Sequence, residues 1–276
     1  MRRFTKDYWN NMDSQELDAI LWRHLSSLPY FRGFLRAVED RFYKEIDLPR
    51  PILDLGSGDG HFASVAFAEK PDVGLDPWVS PMQEARRRDA YQQLVLGEGA
   101  HIPYADGSFN SVTSTSVLEH IPDIDPVLAE AARILKPGGK FVFCVPNHRY
   151  PEMLWGRQFL EGLGLKKWGA AYGRFFNRIA RHAHTDPPAV WMDRLDLAGF
   201  DLEETWDYFP PKALHILEWG HPLGLPSWIT KKLFGRWILV PKRWNLAVPW
   251  AMTRKFMDDP RSEEGICSFF IARRRL

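Results

Sequence analysis

Apolar residues recur along this chain in two rhythms, and the change from one to the other divides it. Leu17, Ile20, Leu21 and His24 follow helical spacing, and so do Phe31, Phe34, Leu35, Val38 and Phe42. They predict helices within residues 12–47, separated at Pro29 and closed off by Pro49 and Pro51. From residue 51 short apolar runs take over. They predict strands at 51–55, 72–75, 94–96, 109–114, 140–146, 200–207 and 265–273. Helices are predicted over 61–69, 80–90, 125–135 and 186–198, with Pro81 suited to a first turn. Strands alternating with helices through short connections predict an α/β fold, a doubly wound and mostly parallel seven-stranded sheet covered on both faces. Residues 1–50 read as an N-terminal helical cover and 51–276 as the main domain. Two long stretches, 148–185 and 209–264, break the alternation. Structureless loops of that length are uncommon in a compact domain, so both are expected to hold helices and form an inserted cap.

Charge and tryptophan divide the chain further. Residues 51–148 carry 7 Lys and Arg against 13 Asp and Glu, whereas residues 149–257 carry 16 against 10. Of the 12 tryptophans, nine fall from Trp155 onward and only Trp78 lies within 51–148. Within 209–257, five tryptophans accompany eight Lys and Arg against the single acid Glu218. Tryptophan favours the boundary between water and hydrocarbon, so this segment reads as a contact with a membrane or a lipid-like molecule. Packing of the cap against the sheet is the plainer use of such residues. The overall net charge of +1 gives no general bias toward nucleic acid, and none is expected as a partner. Residues 1–11 are polar, unlike a signal peptide, and no long uncharged apolar run is present. A cytoplasmic protein, touching the inner membrane surface, is expected. Cys144 and Cys267 lie in predicted strands and suit buried thiols. No metal-binding spacing occurs, and no metal is expected.

The chemistry is carried first by Asp54, Gly56, Ser57, Gly58, Asp59 and Gly60, where an apolar strand runs into glycines at every second position. Such a turn lets backbone approach a ligand closely. A dinucleotide fingerprint needs its third glycine three residues after the second, and His61 stands there instead. No Lys-Ser/Thr pair follows, which excludes a nucleoside triphosphate loop. Asp76 ends the second strand 22 residues after Asp54, where a carboxylate can accept from both hydroxyls of a ribose; before Pro77 it could also cap the next helix. Glu98 and Gly99 follow the third strand, and Glu98 can accept from an adenine amino group or be an ordinary solvated acid.

Taken in order, the glycine turn, Asp76, the stretch Gly97, Glu98, Gly99, Ile102, Pro103, Ser108 and Phe109, and then Arg133, Leu135, Pro137, Gly138 and Gly139 resemble the type 11 methyltransferases of the class I S-adenosylmethionine-dependent enzymes. The resemblance spans about 100 residues and implies a Rossmann-like methyltransferase fold with S-adenosyl-L-methionine as cofactor. It implies that Asp54, Gly56, Ser57, Gly58 and Gly60 hold the methionine part, Asp76 and Pro77 the ribose, and Glu98 and Gly99 the adenine. Asn110 and Glu98 depart from the family, which more often has Asp at both places. It further implies that Ser114, Ser116 and the residues up to His120 line the floor where sulfonium meets acceptor. His120 is therefore the candidate general base, with a structural histidine as the alternative. Glu119 and His120 are similar to a metal-binding segment of ubiquinone-biosynthesis O-methyltransferases, but Ser116 replaces one of the acids. His182, His184 and Trp155 are secondary candidates for holding the acceptor. A small lipophilic acceptor methylated at oxygen is the favoured expectation. RNA or protein methylation through the basic aromatic cap, or a non-catalytic cofactor-binding module, are the alternatives.

Overall fold

The computed structural model describes residues 12–276; the polar stretch 1–11, whose reading as unlike a signal peptide is an expectation from sequence, lies outside them. Strands β1 (Ile52–Leu55), β2 (Val73–Asp76), β3 (Gln93–Leu96), β4 (Phe109–Thr115), β5 (Leu135–Pro146), β6 (Phe200–Tyr208) and β7 (Cys267–Arg274) form one sheet in the order β3-β2-β1-β4-β5-β7-β6. The first five pair in parallel, and β7 runs antiparallel between β5 and β6. The strand order reverses between β1 and β4. In open α/β sheets ligands bind at the carboxyl ends of strands beside such a reversal, and the glycine turn after β1 lies there.

The predicted elements form within a few residues of their expected limits, with one instructive difference. β5 starts at Leu135 rather than 140, because Leu135 pairs with Phe109 before the register shifts and resumes at Ser111 opposite Lys140. Gly138 occupies a left-handed conformation in this irregular stretch (φ +76°), which costs a glycine little.

Side chains alternate across β5 as strand geometry requires. Phe141 and Phe143 face one layer, with α5 (Asp125–Ile134) and α8 (Pro188–Leu197) supplying Val127, Leu128, Trp191 and Leu195. Val142 and Cys144 face the other, where α1 (Ser14–Leu25) and α2 (Tyr30–Tyr43) contribute Leu21, Phe34, Val38 and Phe42. Phe42 meets the rings of Trp206, Tyr208 and Phe269 edge-on at 5.3, 5.2 and 5.4 Å. Each such buried Phe contributes about 1.5–3 kcal/mol, so the N-terminal helices are fixed to the sheet. α3 (His61–Ala66) and α4 (Val79–Arg88) complete the cover of the first strands. The interruptions are helical as expected. The first holds α6 (Trp155–Gly162) and α7 (Lys166–Ala180), and the second α9 (Pro211–Gly220), α10 (Gly224–Phe234) and α11 (Ala247–Thr253). Among the described residues no helix is long and apolar enough to cross a membrane.

Candidate active site

The turn after β1 is held from both sides. Gly56 N–H and Ser57 N–H donate to the Leu75 carbonyl at 2.8 and 3.0 Å. Gly58 N–H donates to Asp76 Oδ2 at 2.9 Å, while Trp78 N–H donates to Asp76 Oδ1 at 2.9 Å. Each carboxylate oxygen keeps a second lone pair, so Asp76 is oriented without being saturated. Gly56 has φ +80°, and a Cβ there would lie 2.3 Å from Val117 Cγ1. No other residue fits. Asp54 is buried beneath the turn and accepts from Tyr91 OH at 2.5 Å and Thr113 Oγ1 at 3.0 Å. Burial raises its pKa, partly offset by these two bonds.

Two cavities adjoin above the sheet. The first, about 260 Å³, is lined by Gly56, Ser57, Gly58, Asp54, Thr115 and Val117, among others. The second, about 350 Å³, includes Ser116, Glu119, His120, His182, Tyr150 and Leu217 in its wall. Successive residues at the end of β4 thus face opposite chambers. Arg32 and Arg36 line both.

The remaining expected site residues divide. Asp76 lies outside the first cavity's wall, on the shelf formed by the ends of β2 and β3, where Gly97 N–H donates to its carbonyl at 3.2 Å. Pro77 and Glu98 are exposed on this shelf, beside the partly covered Gly99. Gly60 closes the turn at φ +69°. Ser114 is fully buried and donates to the Leu55 carbonyl at 2.9 Å. Ser116 adopts φ +50°, unusual for a residue with a side chain, and donates to Glu39 Oε1 at 2.7 Å.

In the second cavity the His120 and His182 rings lie 5.6 Å apart. His120 Nδ1 is 3.0 Å from the Arg181 carbonyl, which can only accept. Nδ1 therefore carries the hydrogen, and Nε2 is the basic nitrogen, 3.8 Å from Glu119 Oε1. Burial lowers the His120 pKa, and it pushes His182 down to about 3 with His120 as the second cause. Both imidazoles are neutral at pH 7. Glu119 is buried, its Oε2 has no hydrogen-bond partner, and burial raises its pKa to about 8. His184 is turned away, bonding Asp186 at 3.1 Å and the Pro122 carbonyl at 3.2 Å. Trp155 stands outside the cavity, stacked on Phe159 at 5.2 Å.

The N-terminal helices bring groups that motif reasoning missed. Glu39 is fully buried and receives Arg36 at 2.7 Å, Ser116 at 2.7 Å and Tyr208 OH at 3.1 Å. Arg36 also donates to the Thr115 carbonyl at 3.0 Å. Arg32 has no carboxylate within ion-pair distance among the described residues; its guanidinium lies 5.5 Å from the Trp237 ring centre. His24 links Asp40 at 3.1 Å to His61 at 3.0 Å, and burial pushes His61 down to about 3, with His24 second. The available signal was spacing: Arg32, Arg36 and Glu39 fall on one face of the predicted second helix.

A glycine turn held by the acid of the next strand, at the reversal of a sheet with an antiparallel seventh strand, restricts the possibilities severely. The type 11 family described as "methyltransferase domain" matches residues 53–143. Those residues are a class I methyltransferase domain. A probable S-adenosylmethionine-dependent methyltransferase of Mycolicibacterium smegmatis is 31% identical over 173 residues, covering 62% of this chain and 60% of its own. An arsenite methyltransferase of Aquipseudomonas alcaligenes is 33% identical over 178 residues, covering 55% of this chain and 49% of its own. A ubiquinone biosynthesis O-methyltransferase of Pectobacterium atrosepticum is 35% identical over 107 residues, covering 36% and 43%. The chain thus spans about half the length of the first curated relatives it matches. A SAM-dependent methyltransferase of Thermotoga maritima superposes with a TM-score of 0.54 at 17% identity, over 95% of both chains. It shares the fold of the methyltransferase domain together with its surrounding helices.

Proposed function

We propose that the whole chain is a cytoplasmic methyltransferase that moves a methyl group from S-adenosylmethionine to an oxygen of a small lipophilic acceptor. The observation that carries this reading is the pair of adjoining cavities, divided by the end of β4. In the first, Gly56, Ser57, Gly58 and Gly60 take the methionine part of the cofactor, above Asp54. Asp76 and Pro77 take the ribose, and Glu98 and Gly99 the adenine, along the open shelf. Ser114 and Ser116 fix the floor. Gly58 lines this cavity, and a Cβ there would meet nothing nearer than the Gly56 carbonyl oxygen at 3.9 Å, so its backbone is open to close approach by a ligand.

The cofactor supplies the activated methyl group and its own leaving group. The protein's share is alignment and exclusion of water. Phe31, Leu35, Tyr150, Leu217 and Ile266 make much of the second cavity's wall apolar, which suits a lipophilic acceptor better than RNA. His120 Nε2 can take the proton of an acceptor hydroxyl as the methyl group arrives. His182 packs beside it, whereas His184 and Trp155 are too far round to share that role. Residues 1–50 serve as a cover, and the insertions at 148–185 and 209–264 as a cap that touches the inner membrane surface.

The test is release of S-adenosylhomocysteine when the protein is given S-adenosylmethionine with a panel of apolar alcohols and phenols, and separately with RNA and unfolded protein. Turnover with the first group alone is expected. Turnover only with a macromolecule would overturn the acceptor class, and none with any of them would favour a non-catalytic module.

A further inference from the structure

Soluble monomers rarely leave large apolar patches in water, and the cap helices do so conspicuously. α10 buries none of its residues, and Leu225, Trp228, Ile229, Leu233 and Phe234 are all exposed on it. On α6 and α7, Phe159, Trp168 and Phe175 are more than half exposed, at 52%, 68% and 54%. These surfaces join. Trp155 on α6 meets Trp219 on α9 edge-on at 6.0 Å, and α10 follows α9 through the short turn His221–Leu223.

Charge on the same helices is predominantly positive. α6, α7, α9 and α10 carry eight Lys and Arg and two acids, Glu161 and Glu218. Glu161 is paired with Arg157 at 2.8 Å. Glu218 is buried, accepting from Trp155 N–H at 2.6 Å, Gly156 N–H at 3.0 Å and Tyr172 OH at 2.7 Å. Neither offsets the outer cations. Lys231 is held by Glu84 at 2.6 Å, but Lys232 extends over the Trp228 ring at 5.2 Å.

We propose that α6, α7, the end of α9 and α10 form a docking face for an anionic bilayer, with α10 lying in the headgroup region. Cations beside exposed aromatic and aliphatic side chains match that surface on both counts. A second copy of the chain would set like charges against like. Nucleic acid would use the rings but leave the exposed Leu and Ile side chains without a partner. Ile179 of α7, Leu217 of α9 and His221 of the turn after it enter the wall of the second cavity, and Ile179 is exposed as well. An acceptor dissolved in the bilayer therefore reaches the cavity beside α7 without crossing water. Docking deepens the reading of the insertions as a membrane-touching cap; only this last step rests on the acceptor reading as well.

The experiment is flotation of the full chain with vesicles of phosphatidylcholine alone or mixed with phosphatidylglycerol, at low and high salt. Binding is expected to the anionic vesicles, weakening as salt screens the cations. The double substitution Trp228→Ala and Phe234→Ala removes two exposed anchors and is expected to lower partitioning about tenfold or more. Its affinity for S-adenosylhomocysteine should stay unchanged, which separates lost docking from lost fold. No flotation with anionic vesicles, or flotation that ignores the double substitution, would overturn the proposal. So would a salt-resistant dimer, or binding of short RNA in place of vesicles. An acceptor of another class would leave the vesicle result untouched, so the two readings fail separately.

Discussion

Ser116 and Glu39 share a hydrogen bond of 2.7 Å across 77 positions of sequence, joining the end of β4 to the second N-terminal helix. Glu39 Oε1 also receives Tyr208, and its Oε2 pairs with Arg36. One buried carboxylate thereby fixes the floor between the two cavities and holds a cationic side chain above it.

Removing that carboxylate should cost stability before it affects binding. Breaking a buried charge pair by deleting one partner costs about 3–5 kcal/mol. Glu39→Ala is expected to lower Tm by roughly 5–15 °C. Glu39→Gln keeps some of the hydrogen bonds and should lose less. A Tm for Glu39→Ala within a degree of the parent would show that the network is not structural.

Arg32 and Asp76 should separate by which part of the cofactor they hold. S-adenosylhomocysteine has both a ribose and an amino-acid carboxylate, and 5′-methylthioadenosine has only the ribose. Asp76→Ala is expected to weaken both by about 1–3 kcal/mol, since charge-assisted hydrogen bonds to the ribose are lost. Arg32, which lines the first cavity without an acidic partner among the described residues, is expected to serve the carboxylate. Arg32→Ala should weaken S-adenosylhomocysteine about tenfold or more and leave methylthioadenosine unchanged. Equal losses for both ligands would remove Arg32 from that role.

The sequence made the cofactor side legible because that chemistry is local. A glycine turn, an acid 22 residues on, and the strands between them lie within one contiguous stretch, and apolar spacing located those strands. The acceptor side is assembled from distant segments. Phe31 and Leu35 precede β1, His182 follows α7, and Ile266 adjoins β7. No spacing rule joins them. His184 and Trp155 looked equivalent to His182 in sequence because the direction of a side chain in an insertion depends on packing. Asp186 and the Pro122 carbonyl draw His184 aside, and Phe159 and Trp219 hold Trp155 at the surface.

Glu119 predicts a dependence of stability on pH. Its carboxyl titrates near 8 when folded, against 4.5 as the ordinary value, because burial disfavours the charge. Between those limits the folded state holds the proton more tightly than the unfolded state. Its contribution is therefore complete below pH 4.5 and is lost as pH rises toward 8. Glu119→Gln abolishes this titration. Urea unfolding at pH 5 and pH 9 should show the variant gaining relative to the parent by a few kcal/mol at the higher pH. A difference independent of pH would mean that the carboxyl is ionised when folded.

His120 should affect turnover more than binding. General-base assistance is worth about 10²–10⁴ in rate, so His120→Ala is expected to lower kcat by that order and leave the S-adenosylhomocysteine affinity unchanged. Burial lowers the pKa of His120 below the ordinary value of 6.5. The base stays neutral as pH falls past that value, and the acid limb of the kcat profile should lie below it. Unchanged turnover in His120→Ala would leave alignment alone to drive the reaction.

The central claim is that the turn at residues 56–60, with Asp76, holds S-adenosylmethionine. Titration calorimetry of the full chain with S-adenosylhomocysteine, and separately with NAD, tests it most directly. Saturable one-to-one binding of S-adenosylhomocysteine with no heat from NAD is the expected result. Tight binding of NAD with none of S-adenosylhomocysteine would contradict it.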